Sequence, residues 1–214
     1  MNRAAAVLIL LLLAGATAKT LVTGQYVSYV KAGLWPLLVV SVVLLALFAA
    51  AKGHQPKVAW LLVLPALALL LISPQSLGSY AANNAGTVLR QSDEYPPLPD
   101  GDPVEVKVFD YASRAVFDGG RTLAGRRVKL VGFTSTGPHG ERLLVRMILT
   151  CCAADGRPVK IVMNNGAQFP DDTWVEVTGS YVDATVTDGV NGEKIPSIDV
   201  EDVVGIAQPE RPYE

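Results

Sequence analysis

The sequence predicts a membrane-anchored α-helical region followed by an all-β domain, a small OB-like barrel of five strands. Almost every long apolar run lies before Pro74. After Asp102, short segments instead alternate between apolar and polar residues, with turn sequences between them. Between these two regions, residues 73–102 hold several prolines and show neither helical nor strand periodicity, which is typical of a linker.

Three apolar runs predict transmembrane helices at residues 4–22, 33–51 and 58–72. A bilayer core of about 30 Å requires about 20 helical residues, and the middle run meets this requirement. The third run covers only about 22 Å at about 1.5 Å per residue. It also contains Pro65, which a membrane helix tolerates when neighbouring groups satisfy the freed backbone carbonyl. We expect this run to cross the bilayer as well, so that the region 1–72 contains about three spans.

The first run allows two interpretations. Arg3, the apolar core and the small residues Ala16 to Ala18 have the layout of a cleavable secretory signal. We favour an uncleaved helix that reaches Val22, because more membrane sequence follows. Both interpretations place the last domain outside. An uncleaved chain begins inside and crosses the membrane three times, whereas a cleaved chain begins outside and crosses it twice.

The distribution of basic residues favours the same orientation. Arg3, Lys52 and Lys57 fall on the predicted inner side, against two lysines on the outer side of the first spans. We therefore predict a multi-pass plasma-membrane protein, in contact with the lipid bilayer, whose domain at 103–214 is extracytoplasmic. No ionisable residue lies at the centre of a predicted span, which argues against transport by this chain alone.

The domain at 103–214 contains five segments that each place apolar residues on one face, at 126–134, 143–150, 157–164, 173–182 and 195–206. Asp155-Gly156 and Asn191-Gly192 are turn signals between them. Five short strands in a domain of this size suit a closed or partly closed barrel of the OB type. A β-sandwich is the alternative, which the periodicity does not exclude.

Charge and residue usage exclude several classes of function. From Pro103 onward the chain has twelve Lys and Arg against sixteen Asp and Glu, a net charge of −4. Such a domain lacks the basic surface that binds phosphate backbones, so we expect no nucleic-acid partner. The whole chain has only His54 and His139, so a histidine-based triad and a multi-histidine metal site are not available. We therefore expect no enzymatic activity.

The two cysteines of the chain are adjacent, Cys151 and Cys152, and Asp155 follows them closely. Adjacent cysteines form a disulfide only through a strained ring, and successive strand residues point to opposite faces unless the strand ends or bulges. Three interpretations remain open: small buried side chains, a redox pair, or a soft-metal site with Asp155 or His139. Thiolates select Zn²⁺ or Cu(I), so Cys151, Cys152 and Asp155 are the candidate ligands.

Four segments together resemble a known family: LLVLPALALLLISPQSLGSYAANN, LAGRRVKLVGFT, LVRMILTCCAAD and DTWVEVTG. They are similar to the YcgQ-like family of bacterial membrane proteins, and the similarity covers nearly the whole chain. Its most specific element is CCAAD, at residues 151–155. The resemblance implies an accessory subunit of a multi-span permease, with a C-terminal domain of unknown function. It implies no catalytic residues.

We therefore expect an accessory protein of the plasma membrane, whose helices dock a multi-span permease and whose outer domain binds a metal ion or small solute through the cysteine pair. A membrane-tethered thiol redox protein is the first alternative. An OB-like ligand-binding module, suggested by the fold class alone, is the second.

Overall fold

The computed structural model describes residues 3–50, 63–72 and 75–214. The chain divides into two compact units. One unit comprises Met1–Ser76 together with Cys151–Ala153, and the other comprises Leu77–Thr150 and Ala154–Glu214. The predicted loop with Lys52 and Lys57, and the start of the predicted third helix, lie outside the described residues.

In its described residues the first unit has three apolar helices: α1, Arg3–Val22; α2, Trp35–Ala50; and α3, Val63–Leu71. Two stretches, Ala4–Val22 and Ala32–Ala50, are long and apolar enough to cross a membrane. Helix α1 packs against both α2 and α3. The Nζ atom of Lys19 donates a hydrogen bond of 2.7 Å to the carbonyl oxygen of Leu70. The C-terminal ends of α1 and α3 therefore lie at the same end of the unit.

Three alanines lie on the buried side of α1, where Ala6, Ala14 and Ala16 are enclosed together with Ile9. Alanine lets helix backbones approach closely, as in packed membrane helices. Along α2, by contrast, large apolar side chains such as Leu47 and Phe48 are exposed. A helix of this kind is stable only where an apolar environment surrounds it.

The second unit contains a closed five-stranded mixed β-barrel, formed by β2, Arg127–Thr136; β3, Arg142–Ile148; β4, Arg157–Asn164; β5, Trp174–Thr187; and β6, Lys194–Gly205. The strand order is β2-β3-β4-β6-β5, and a pairing of β2 with β5 closes the barrel. Neighbouring strands are antiparallel except for β4 and β6, which are parallel. A two-residue strand β1, Val104–Glu105, pairs with β2. The prediction of helices followed by a five-stranded barrel is thus confirmed. The pairing of β2 with β5 closes the sheet and excludes the alternative of a β-sandwich. The OB-like label stays a prediction.

Alternating apolar residues of all five strands fill the main core, and helix α5, Val108–Phe117, packs against it. Leu130 of β2 faces Val177 of β5 in this core, as the predicted alternation requires. The buried hydroxyl of Tyr111 on α5 donates a hydrogen bond of 2.8 Å to the carbonyl oxygen of Ser197. Burial raises the pKa of this phenol. The helix is therefore joined to the barrel by packing and by a buried hydrogen bond.

A second apolar cluster lies on the other side of β3, around Leu143, Val145 and Met147. Leu77 and Ala82 contribute to it; Ala82 belongs to a short helix α4, Ser79–Asn84. Strand β3 is consequently buried on both faces.

Residues 77–102 lie within the second unit, although the sequence predicts a linker over 73–102. Polar contacts attach this segment to the barrel: the carboxylate of Asp172 accepts hydrogen bonds from the N–H and the hydroxyl of Ser79, and Arg126 donates to the carbonyl oxygens of Pro99 and Gly101. Residues 77–102 therefore cover part of the barrel surface. Their scattered apolar side chains, such as Leu98, also pack against the apolar clusters of the barrel.

Candidate functional site

The candidate site is the turn between β3 and β4, which we call the cysteine turn, residues Thr150–Asp155. Strand β3 ends at Ile148, and Ala153–Asp155 form a short 3₁₀ helix. The N–H of Thr150 donates a hydrogen bond of 2.8 Å to Oδ1 of Asp155. This bond joins the two ends of the turn and fixes the direction of the Asp155 carboxylate.

The two sulfur atoms of the turn converge, with the Sγ atoms of Cys151 and Cys152 3.6 Å apart. A disulfide bond would be about 2.05 Å long, so these are two thiol groups in contact. The alternation that separates neighbouring side chains applies only within a strand, and both cysteines follow the end of β3. Cys151 is exposed and Cys152 is half-buried. This exposure argues against the interpretation of the pair as small buried core residues.

A carboxylate oxygen of Asp155 lies close to the two sulfurs, so that the three potential ligand atoms are all within 4.8 Å of one another. The structure thus brings all three sequence-predicted ligands together. His139, the alternative ligand, does not belong to this group of described residues. It lies at the tip of the β2–β3 hairpin, where its backbone N–H donates to Glu141.

The sulfur separation indicates which metal geometry the turn suits. With metal–sulfur bonds of about 2.3 Å, sulfurs 3.6 Å apart subtend an angle of about 103° at the ion, close to the tetrahedral value of about 109°. Two thiolates on opposite sides of a two-coordinate ion would instead be about 4.6 Å apart. The resting geometry therefore suits a tetrahedral ion such as Zn²⁺ better than a linear Cu(I) centre.

Backbone hydrogen bonds within the first unit hold the cysteines. The N–H of Lys31 donates to the carbonyl oxygen of Cys151 at 3.0 Å, and the N–H of Ala153 donates to the carbonyl oxygen of Tyr29 at 2.7 Å. Between them, Val30 and Cys152 form an antiparallel β-bridge. We call this contact the Tyr29–Lys31 bridge. Sequence analysis missed it, because these residues are remote in the chain and carry no motif.

Asp171, Asp172 and Glu201, carboxylates that lie at loops or on strands away from the cysteine turn, make hydrogen bonds that hold the fold. Asp172 binds Ser79, and Asp171 accepts a hydrogen bond from the hydroxyl of Thr136. Glu201 accepts a hydrogen bond from the hydroxyl of Ser180. None of these carboxylates joins the three ligand atoms of the cysteine turn.

A surface cleft of about 450 Å³ lies elsewhere on the barrel unit, lined in part by Asp93, Glu94, Asp118 and Arg121. Asp118 is engaged there by hydrogen bonds from Arg121 and from Thr122. Asp118 and Arg121 of this cleft are therefore paired with each other, and the cysteine turn is the better candidate.

Comparison with known proteins adds one match. Residues 113–214 match the family model of the DUF1980 C-terminal domain. No curated protein and no solved structure matches the chain. The matched range contains the five barrel strands and the cysteine turn, and it leaves the apolar helices outside. The barrel part of this chain is therefore similar to the DUF1980 C-terminal domain, a domain of unknown function.

Proposed function

We propose that this chain is a non-catalytic accessory protein of the plasma membrane, whose extracytoplasmic barrel binds a metal ion through Cys151, Cys152 and Asp155. One observation carries the proposal: two thiols and a carboxylate oxygen lie within 4.8 Å of one another in a single, partly exposed turn. Thiolates and a carboxylate are ordinary ligands of Zn²⁺, and together they supply three of the four positions of a tetrahedral site.

Zinc is the preferred ion because of both ligand chemistry and distance. Cu(I) selects soft sulfur ligands, and a carboxylate adds little to its binding. The separation of 3.6 Å between the two Sγ atoms also matches a tetrahedral angle. We therefore expect the zinc-loaded turn to be four-coordinate, with the two thiolates, the Asp155 carboxylate and one further ligand around the ion.

The location rests on the arrangement of the helices. The hydrogen bond from Lys19 to the carbonyl oxygen of Leu70 brings the C-terminal ends of α1 and α3 together, which supports three crossings with α1 and α3 in the same direction. The charges at the predicted loops then favour an outer barrel.

The partner we propose is a multi-span permease, as the resemblance to the YcgQ-like family implies. The exposed apolar side chains of α2 provide a surface for helices of such a partner. Since no ionisable residue lies at the centre of a predicted span, the partner would supply the polar pathway.

The test uses the full chain purified in detergent with its thiols reduced. The wild-type protein should bind about one zinc ion per chain, and the Cys151→Ser/Cys152→Ser variant should bind none, because hydroxyl groups are poor zinc ligands. Asp155→Asn keeps an oxygen that accepts the Thr150 N–H but loses the negative ligand, so its zinc affinity should fall. Asp93→Asn, a carboxylate change away from the turn, is the matched control. Undiminished zinc in the double serine variant would refute metal binding at the turn.

The location and the partner have their own tests. An impermeant maleimide should label Cys151 in intact cells if the barrel is extracytoplasmic, and labelling only after lysis would contradict this. Co-purification of a multi-span membrane protein with the tagged chain, lost when α2 is replaced by an unrelated apolar helix, would support the permease. Retention of that protein after the replacement would contradict docking through α2.

A second candidate function is thiol redox exchange, which the 3.6 Å contact between the sulfurs and the exposure of Cys151 favour. In this reaction a thiolate attacks a small-molecule disulfide, the second thiol resolves the mixed disulfide, and the oxidant leaves as two thiols. The eight-membered ring of a vicinal disulfide is strained, which counts against it. Rapid alkylation at neutral pH would support this function, and slow alkylation unaffected by oxidants would remove it.

A further inference from the structure

The loop that joins α1 and α2 contacts the cysteines through its backbone. Residues Tyr29 and Lys31 supply one acceptor and one donor, at 2.7 Å and 3.0 Å from their partners in Cys151–Ala153. These contacts do not depend on side-chain identity, and each satisfies a polar group that would otherwise require water. The loop therefore restrains the chain on both sides of Cys152.

The pattern of these bonds also determines which side chains are neighbours. In an antiparallel pair flanked by hydrogen bonds in this way, the two central residues approach closely, at about 4.5 Å between Cα atoms, and their side chains share a face. Val30 is therefore the cross-strand neighbour of Cys152. The bridge thus places Cys152 beside the apolar Val30. The turn brings the thiol of Cys151 into contact with that of Cys152.

We propose that the Tyr29–Lys31 bridge is the positioning element of the thiol site, and that zinc binding at the cysteines and ordering of the loop between α1 and α2 stabilise each other. This inference rests on the proposed metal-binding function. A turn already restrained by two backbone bonds does not have to be ordered when the ion binds, so its affinity is higher. By linkage, the bound ion must then stabilise the bridge to the same extent.

Lys31 offers a substitution that tests the bridge with a matched control. Its backbone has φ −55° and ψ 135°, which proline adopts without strain. Lys31→Pro removes the N–H that donates to Cys151, whereas Lys31→Ala keeps that N–H and removes the same side-chain charge. The residue before a proline must be extended, and Val30 is already in a β-bridge.

The experiment measures zinc affinity of the full chain in detergent by competition with a chromophoric chelator. We expect the zinc dissociation constant of Lys31→Pro to be about five- to tenfold higher than that of Lys31→Ala, the effect of one backbone hydrogen bond. Cd²⁺ substituted for Zn²⁺ should show a thiolate charge-transfer band in both variants, because the ligands are unchanged. Equal zinc affinities of the two Lys31 variants would overturn the proposal.

A second measurement needs no substitution in the loop. Zinc should slow amide hydrogen exchange of Lys31 and Ala153 in the wild-type chain, and it should have no such effect in Cys151→Ser/Cys152→Ser. Exchange rates that zinc leaves unchanged in the wild type would overturn the coupling even if Lys31→Pro fails to fold. Absence of zinc binding in the wild type would instead refute the proposed function itself, so the two failures are distinguishable.

Discussion

We predict that Lys160→Met destabilises the barrel unit by about 3 kcal/mol, because it leaves the carboxylate of Asp188 buried without its cation. The Nζ atom of Lys160 lies 2.9 Å from Oδ2 of Asp188, and the two side chains are only 4% and 2% exposed. The same Nζ donates to the carbonyl oxygen of Ala85. The pair thus connects β4, the segment that precedes the barrel strands, and the loop between β5 and β6.

The magnitude follows from what remains after the substitution. Removing one partner of a buried ion pair costs about 3–5 kcal/mol, because the other charge stays buried. Two backbone N–H groups, of Thr87 and Val190, continue to donate to Asp188 at 2.7 and 2.9 Å. These donors partly compensate the lost cation, which places the expected loss at the lower end of that range.

The assay is thermal unfolding of the full chain in detergent, followed by the fluorescence of Trp174, which is buried in the barrel unit. For a domain of this size about 3 kcal/mol corresponds to a fall in Tm of about 10 °C. The double variant Lys160→Met/Asp188→Asn should lose less stability than the sum of the single variants, because it leaves no unpaired charge. A Tm of Lys160→Met within about 2 °C of the wild type would refute the reasoning.

Two further predictions concern pH and packing. Burial alone would raise the pKa of Asp188, but two backbone N–H groups and the Lys160 ammonium hold it below its usual value. Its stabilisation is therefore present above about pH 4 and is lost as pH falls through the folded-state pKa, so acid should lower the Tm of the wild type more than that of Asp188→Asn. Gly179→Ala should cost about 2 kcal/mol, since a Cβ there would collide with a carbonyl of β6. Gly189→Ala, whose Cβ would make only an ordinary contact of 4.0 Å with Pro138, should be neutral in the same melting experiment, and equal effects would contradict the close approach at β5.

The strands could be predicted from the sequence, because an apolar face with a period of two is a local property of the chain. The predicted segment 157–164 coincides with β4, and the predicted segment 143–150 overlaps β3, Arg142–Ile148. Local alternation does not indicate which strands pair. The closure of β2 on β5 and the parallel pairing of β4 with β6 join residues far apart in the chain.

Local sequence patterns also fail to indicate which charged side chains are buried. In the segment 157–164 Lys160 alternates with the apolar residues of the predicted barrel face, and the pattern by itself does not indicate that its side chain is buried. The segment from Leu77 onward covers that side of the barrel and buries the lysine with Asp188. Because the prolines and polar residues of that segment form no periodic pattern, only its contacts distinguish a covering segment from a flexible linker.

By itself the sequence determined the chemical composition of the candidate site: two adjacent thiols, a nearby carboxylate, and no histidine cluster to replace them. Residue identity and short spacing are sufficient for that, since ligand chemistry is a property of the side chains. Tertiary structure alone decided that the thiols converge, because this depends on where β3 ends and on the hydrogen bond from Thr150 to Asp155. It also decided that Tyr29 and Lys31 hold the turn, since backbone hydrogen bonds between distant segments leave no mark on the residues that form them.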